Sequence, residues 1–344
     1  MKRVMNREKN KTPDIGFRVE RAGPLAQLED AGRFGVRRLG VTQGGPADLH
    51  GWAWANRLAG NPWGAAALEI TFGGLTLVAE RNLTLAVAGA DLGATLDGKP
   101  LPLWERVSCR EGQRLIFAAP ANGLRAYLAV AGGFDAEPVL GSVACVVREG
   151  LGGFDGRGSK LAEGDRLAVG NRLAAENRLS AENRLSAGAP SSAGASLTAA
   201  PDEARIDYRA TASLSLLPGA QVADFSGQSL FQAFNEAWHV DDRADRMGVR
   251  LTGPRLQCRI GSMVSEGIGL GAVQVPPDGQ PIALLNDRQT IGGYPRLGAL
   301  TPLAASRLAQ CLPGQEVRLK AVSSEGALQA YRRFCATFFT DSGR

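Results

Sequence analysis

A short phrase recurs along this chain and restricts what it can become. Glu111-Gly-Gln-Arg-Leu115 is echoed by Glu163-Gly-Asp-Arg-Leu167, then by Pro218-Gly-Ala-Gln-Val222 and Pro313-Gly-Gln-Glu-Val317. Each reads as a glycine-centred tight turn that launches a segment of alternating apolar and polar residues, the period of a half-buried strand. The phrase appears near 117 and 169 and again twice after 213, which predicts two β-rich halves of related construction. The 44 glycines and 18 prolines among 344 residues agree, because they favour short strands and tight turns over a helical bundle. At 44% apolar residues the chain can bury a sizeable core, and its length suits two domains.

Between the halves the composition changes. Asn171-Arg-Leu-Ala-Ala-Glu176 repeats as Asn177-Arg-Leu-Ser-Ala-Glu182 and Asn183-Arg-Leu-Ser-Ala-Gly188, followed by Ala, Ser, Gly and Pro. Such a stretch reads as a flexible linker. We therefore expect a disordered leader at 1–16, an N-terminal β domain at 17–170, a low-complexity linker at 171–212 and a C-terminal β domain at 213–339. The net charge of +5 is mild, and no Lys/Arg stripe with interleaved aromatics marks a nucleic-acid surface. The five cysteines are far apart and form no C-x-x-C pair, which fits reduced thiols in a cytoplasm. Two histidines leave little material for a metal site. The leader has no apolar h-region, and no run of about 18 apolar residues marks a membrane span.

Strands are expected at 68–72, 75–78, 83–88, 106–109, 114–117 and 124–130, then at 213–217, 222–225, 249–251 and 282–285. Helices are expected at 47–58, with Asp48 capping, at 301–311 and at 325–339. Two glycine stretches imitate nucleotide sites. Gly267-Ile-Gly-Leu-Gly271-Ala272 resembles a dinucleotide fingerprint, but a strand and a turn follow it rather than a helix. Gly153-Phe-Asp-Gly-Arg-Gly158-Ser-Lys160 has the glycine gap of a P-loop with its last two residues reversed. Asn286, Asp287, Arg288, Gln289 and Thr290 follow an apolar strand directly, and Gly292 and Gly293 come next. This is either a binding loop held at a strand end or a polar hairpin end that meets water.

Specific strings point further. Ala244-Asp-Arg-Met-Gly-Val-Arg-Leu251, Ser265-Glu-Gly267, Gln274-Val-Pro-Pro-Asp-Gly-Gln-Pro281 and Asp287-Arg-Gln-Thr-Ile-Gly-Gly-Tyr-Pro295 resemble the family of the C subunit of bacterial ATP-dependent 5-oxoprolinase. This family is also called biotin-dependent carboxyltransferase or allophanate hydrolase subunit 2, and it includes the Kip antagonist. Asp30-Ala-Gly-Arg33, Leu68-Glu69 and Arg125-Ala-Tyr127 carry the resemblance through the N-terminal half.

The resemblance implies two cyclophilin-like β-barrel domains with a cleft between them. It implies a B subunit resembling the Kip inhibitor, an A subunit, and ATP-driven opening of 5-oxoproline to glutamate. ATP would then be bound atypically or mainly by a partner. The carboxyltransferase part of urea carboxylase is a relative by domain, so the alternatives are carboxyl transfer from carboxybiotin, carried on another protein, to urea or another amide, and a non-enzymatic antagonist of a Kip-inhibitor-like partner. Arg288, Asp245 and Glu266 are the expected catalytic residues. Gln289, Thr290, Gly292, Gly293, Tyr294, Arg246, Gln274, Asp30 and Arg33 are the expected substrate contacts. The chain departs from the family at Glu29, where a carboxylate replaces a neutral amide, at Ala244, at Pro46-Ala47, and at Val143-Ala144-Cys145.

Overall fold

The computed structural model describes residues 14–170 and 197–339. The protein is mostly β, in two units that meet along a polar seam. In the N-terminal unit a five-stranded sheet runs in the order Leu25–Glu29, Ala67–Thr71, Asn122–Val130, Leu83–Asp91, Arg106–Cys109. A seven-stranded sheet, which includes Ile15–Arg21, Leu75–Ala79, Arg114–Phe117 and Arg166–Val169, faces it. Phe17, Leu28, Leu68, Leu77, Leu85, Phe117 and Leu128 fill the space between them.

The inner strands of the five-stranded sheet are buried on both faces over most of their length, so apolar residues run together at 85–88 and 126–130 rather than alternating. Helix α1 (Leu49–Ala59) covers the far face. The sheet offers it Ala67, Ala86, Ala88 and Ala129, whose small side chains let the helix approach closely. A Cβ on Gly51 would meet Gly89 Cα at 2.9 Å. Trp52, fully buried here, withdraws on the order of 200 Å² from water, worth about 5 kcal/mol before entropy is counted. Trp54 is buried too, so both tryptophans belong to the core.

The C-terminal unit is a closed barrel of seven strands: Ala212–Pro218, Arg296–Leu300, Ala272–Gln274, Ile282–Leu284, Gly248–Thr252, Trp238–Val240 and Glu316–Ala321. Closure comes from parallel pairing of the first and last of these, with Leu214 opposite Leu319. It leaves the barrel without an unpaired edge. Helix α2 (Gly227–Asn235), which periodicity does not single out, precedes the second strand in sequence, and α3 (Pro302–Ala309) packs beside α1. Helix α4 (Ser324–Phe338) crosses back onto the N-terminal unit, where Phe334, Phe338 and Phe339 stack against Trp54 and Trp63.

Most expected elements stand within two residues of their place. One phrase does not launch a strand: after Pro218-Gly219 the chain forms a 3₁₀ helix, Ala220–Asp224, in place of the extended segment expected at 222–225. Ile15 already pairs with Ala168, so the first strand begins inside the expected leader. The rest of the leader (1–13), residues 171–196 of the expected linker, including its repeats, and residues 340–344 lie outside the described residues. Residues 197–211, expected to belong to the linker, pack on the N-terminal unit: Ala199 bridges Glu105, and Tyr208 is buried with its hydroxyl donating to Asp48 Oδ2 at 3.2 Å.

Candidate functional site at the domain seam

The seam is built around Arg246, which a turn places at the foot of the strand Gly248–Thr252. Asp245 Oδ1 accepts the amides of Met247 and Gly248, at 2.8 and 3.1 Å, and so fixes that turn. Arg246 then points inward, with only 6% of it exposed. Nε and Nη2 donate to the two oxygens of Asp287 at 2.9 and 3.1 Å, and Nη1 donates to Glu69. Nη2 also reaches Gly45 O at 2.7 Å and lies 3.1 Å from Glu29 Oε1. Glu69 Oε2 is further held by Ala47 N, at 2.9 Å, and by the Tyr127 hydroxyl, at 2.7 Å. Arg125 Nε stands 3.6 Å from Glu69 Oε1.

Three carboxyls therefore share two guanidiniums in a buried space. Burial pushes the Glu29 carboxyl well above its ordinary range, and Glu69 and Asp287 add to that push while Arg246 opposes it. Burial pushes Glu69 the same way, but Arg246, Arg125 and the hydrogen bonds from Ala47 N and Tyr127 together outweigh it, and the carboxyl is shifted down. Asp287 is raised by burial against Arg246. The contact between Glu29 and Arg246 is short enough for an ion pair, yet the desolvation and the two neighbouring carboxylates win. Crowding of three carboxyls against two guanidiniums in a desolvated space thus raises the proton affinity of Glu29, while Gln27 Nε2, at 2.5 Å, and Gly45 N, at 3.0 Å, donate to its oxygens.

The expected site residues fall into separate places. Arg288 is 3% exposed and donates Nη1 to Leu285 O at 3.0 Å and Nε to Ile268 O at 3.4 Å. Burial, and then the nearby Arg37, pull its guanidinium down to about 10. Gln289 and Thr290 follow at the rim, Thr290 half-buried. Asn286 reaches over the seam to Gly44 O at 3.2 Å. Of the two readings of this polar row, the hairpin end that merely meets water fails at Asn286, Asp287 and Arg288, which are all buried.

Gly292 and Gly293 serve close packing: a Cβ on Gly292 would lie 2.3 Å from Ile268 Cδ1 and 2.7 Å from Gln274 Nε2, and one on Gly293 would lie 2.6 Å from Met263 O. Gln274 is buried beneath them, and Tyr294 is exposed. Glu266 lies on the short ribbon Glu266–Gly267/Ile291–Gly292, paired with Arg296. Asp30 and Arg33 are drawn together elsewhere, around the loop 139–144. Asp30 accepts Val143 N at 2.8 Å and Ser142 Oγ at 2.5 Å, while Arg33 donates to Val139 O at 2.9 Å and to Ala144 O at 2.5 Å.

Asp245 is thus a turn former on the surface rather than a group facing the seam. The charge cluster at 241–246 divides likewise, with Arg243 and Asp241 pairing outside at 2.7 Å and Arg246 turned in. The P-loop imitation is closed by its own carboxylate, since Asp155 Oδ1 accepts Arg157 N at 2.9 Å and Asp155 Oδ2 accepts Ser159 Oγ at 2.7 Å. Sequence reasoning misses Glu69, Arg125 and Arg37 as site residues. A signal exists for Glu69, a charged residue inside the otherwise apolar-looking strand Ala67–Thr71.

Two β units with buried arginines and carboxyls gathered at their joint make this a mostly β protein whose buried ion-pair network lies between the two units. The family model for the carboxyltransferase domain, subdomain A and B, matches residues 39–321, and the chain belongs to that family. It is 35% identical over 315 residues to the C subunit of the 5-oxoprolinase of Escherichia coli, covering 91% of this chain and 94% of that one. It is 28% identical to the urea amidolyase of Saccharomyces cerevisiae over 89% of this chain, but over only 16% of the yeast protein. Among solved structures, the urea carboxylase of Kluyveromyces lactis superposes with a TM-score of 0.84 at 24% identity, over 97% of this chain and 30% of that one. Among the described residues no helix is long and apolar enough to cross a membrane.

Proposed function

We propose that this chain works as the C subunit of an ATP-dependent 5-oxoprolinase in the cytoplasm, opening 5-oxoproline to glutamate together with A and B subunits. The observation that carries this reading is the end-to-end match to the C subunit of a bacterial 5-oxoprolinase, 35% identical with 94% of the relative covered. A lactam resists hydrolysis until its carbonyl oxygen is activated, and phosphorylation by ATP supplies that activation. The site must then hold the substrate's carboxylate with a cation and aim donors at the developing oxyanion. Arg288 fills the first role, and Gln289 and Thr290, at the rim, fill the second. The carboxylates of Glu266 and Asp245 are engaged by Arg296 and by turn amides, so here they act as positioning groups. Neither glycine stretch opens a helix, in keeping with a nucleotide bound mainly by a partner.

The test is ADP release dependent on 5-oxoproline in a mixture of this chain with its A and B partners, each omitted in turn. Loss of activity when this chain alone is left out is the expected result, and Arg288→Ala should lower turnover about tenfold or more without unfolding the chain. Activity indifferent to the omission overturns the reading. The likeness to a urea amidolyase favours a second one, carboxyl transfer from carboxybiotin on another protein to urea, assayed with those two reactants. Tight capture of a Kip-inhibitor-like partner, unaffected by Arg288→Ala, would favour the antagonist.

A further inference from the structure

We propose that Arg37 and Arg288, one from each domain, form a two-guanidinium clamp that takes the carboxylate of an acidic small molecule across the seam. The clamp rests on the 5-oxoprolinase reading and adds a residue from the other domain to it.

Arg37 opens the one-turn 3₁₀ helix Arg37–Leu39, on a loop of the N-terminal unit. Its Nη2 donates to Ile268 O, the same carbonyl of the C-terminal unit that Arg288 Nε approaches at 3.4 Å. Two cations from opposite sides thus converge on one neutral oxygen. Among the described residues neither has a carboxylate within ion-pair distance, and the nearest in sequence to Arg288, Asp287, is turned to Arg246. The rest of the seam differs: Arg246 and Arg125, equally buried, both stand beside Glu69. Arg33, which also has no carboxylate partner among the described residues, is instead enclosed by the carbonyls of Val139, Ser142 and Ala144.

Two of the Arg288 nitrogens are tied to carbonyls, and among the described residues Nη2 has no acceptor. Holding like charges together in a partly desolvated place is unfavourable until an anion arrives, so the arrangement is poised to bind one. A carboxylate accepts from two guanidiniums at once, and this selects an acid over a neutral amide. A clamp of this kind gives no advantage to urea, which carries no charge.

Calorimetric titration of the full chain with 5-oxoproline, with 2-pyrrolidinone (the same lactam without its carboxylate) and with inorganic phosphate tests the clamp. The wild type should bind 5-oxoproline at least about tenfold tighter than 2-pyrrolidinone. Arg37→Gln changes a part-exposed side chain and should fold normally. It should erase that preference while leaving 2-pyrrolidinone unchanged. Arg288→Lys, which keeps the charge, should retain part of it. An Arg37→Gln chain with wild-type preference, or a wild type that binds neither anion, overturns the clamp. Arg37-dependent binding of phosphate without binding of 5-oxoproline overturns the assignment to a carboxylate. Turnover in the assembled complex is read separately. Anion binding without turnover fails the functional reading and leaves the clamp standing, whereas turnover indifferent to Arg37→Gln does the reverse.

Discussion

Glu29 binds a proton more tightly in the folded chain than in the unfolded one. Burial raises its carboxyl in the folded state, so its contribution to stability is largest below the ordinary Glu range and is lost as pH rises toward the folded-state value. Asp287, also raised, acts in the same direction. Between about pH 5 and pH 8 Glu29 and Asp287 favour the lower pH, whereas His50, pulled down by burial, favours the higher, so Glu29→Gln should raise the stability at pH 8 relative to pH 5 in urea unfolding. A mutant pH dependence identical to the wild type's would mean that folding does not raise the Glu29 carboxyl. Arg246 behaves differently, because its loss takes the bidentate cation from Asp287 and leaves Glu69 with Arg125 alone. Arg246→Gln should cost roughly 3–5 kcal/mol in the same measurement.

These two residues also mark how far the site is legible in the sequence. Arg246 stands out because its string is specific. Glu29 stands out as a departure, a charge in place of a neutral amide, but sequence alone does not say whether a carboxyl is ionised. Its buried, carboxylate-rich surroundings are what raise its affinity for a proton. Arg37 carries no signal at all: it precedes residue 39, where the family match begins, and its meaning comes from a carbonyl 231 residues away.

Helix boundaries are legible where capping chemistry fixes them. Asp48 accepts the amides of His50 and Gly51 and starts α1 next to the expected position, and Thr301 caps α3 by accepting Ala304 N. The segment after Pro218 misleads because its turn-like phrase has the right residues, yet the chain there coils rather than extends. The face that α4 presents is legible as amphipathic, but its destination is not. It buries Phe338 against Trp54 and Trp63 in the opposite domain. Phe338→Ala should lower stability by about 3 kcal/mol or more by urea unfolding, while an exposed neighbour such as Arg333→Ala should change little. Equal effects from the two would mean that the helix is not docked.

Taken whole, the two units are joined by polar groups that each satisfy several partners. Gln310 of the barrel unit accepts from Leu124 N and Arg125 N, at 2.9 and 2.8 Å, and donates to Asp48 Oδ2 at 2.7 Å, the same carboxylate that caps α1. A seam so dense should make the chain unfold as one. Trp238 is the only tryptophan of the barrel unit, and the other four lie in the N-terminal half. In a Trp238→Phe chain, fluorescence therefore follows the N-terminal half, and its transition should coincide with that seen by circular dichroism. Adding Gln310→Ala should make the two signals part, with coincidence in that variant showing that Gln310 does not couple the units. The way the barrel closes also orders events during synthesis. Its first strand, Ala212–Pro218, finds its parallel partner only when Glu316–Ala321 has been made, and α4 follows at once. Until the ribosome reaches that point, the barrel has two open edges and the aromatic cluster beside α1 lacks Phe334 and Phe338. Translation of the short segment 316–338 therefore decides, in one step, whether both halves are hidden from chaperones and from other nascent chains.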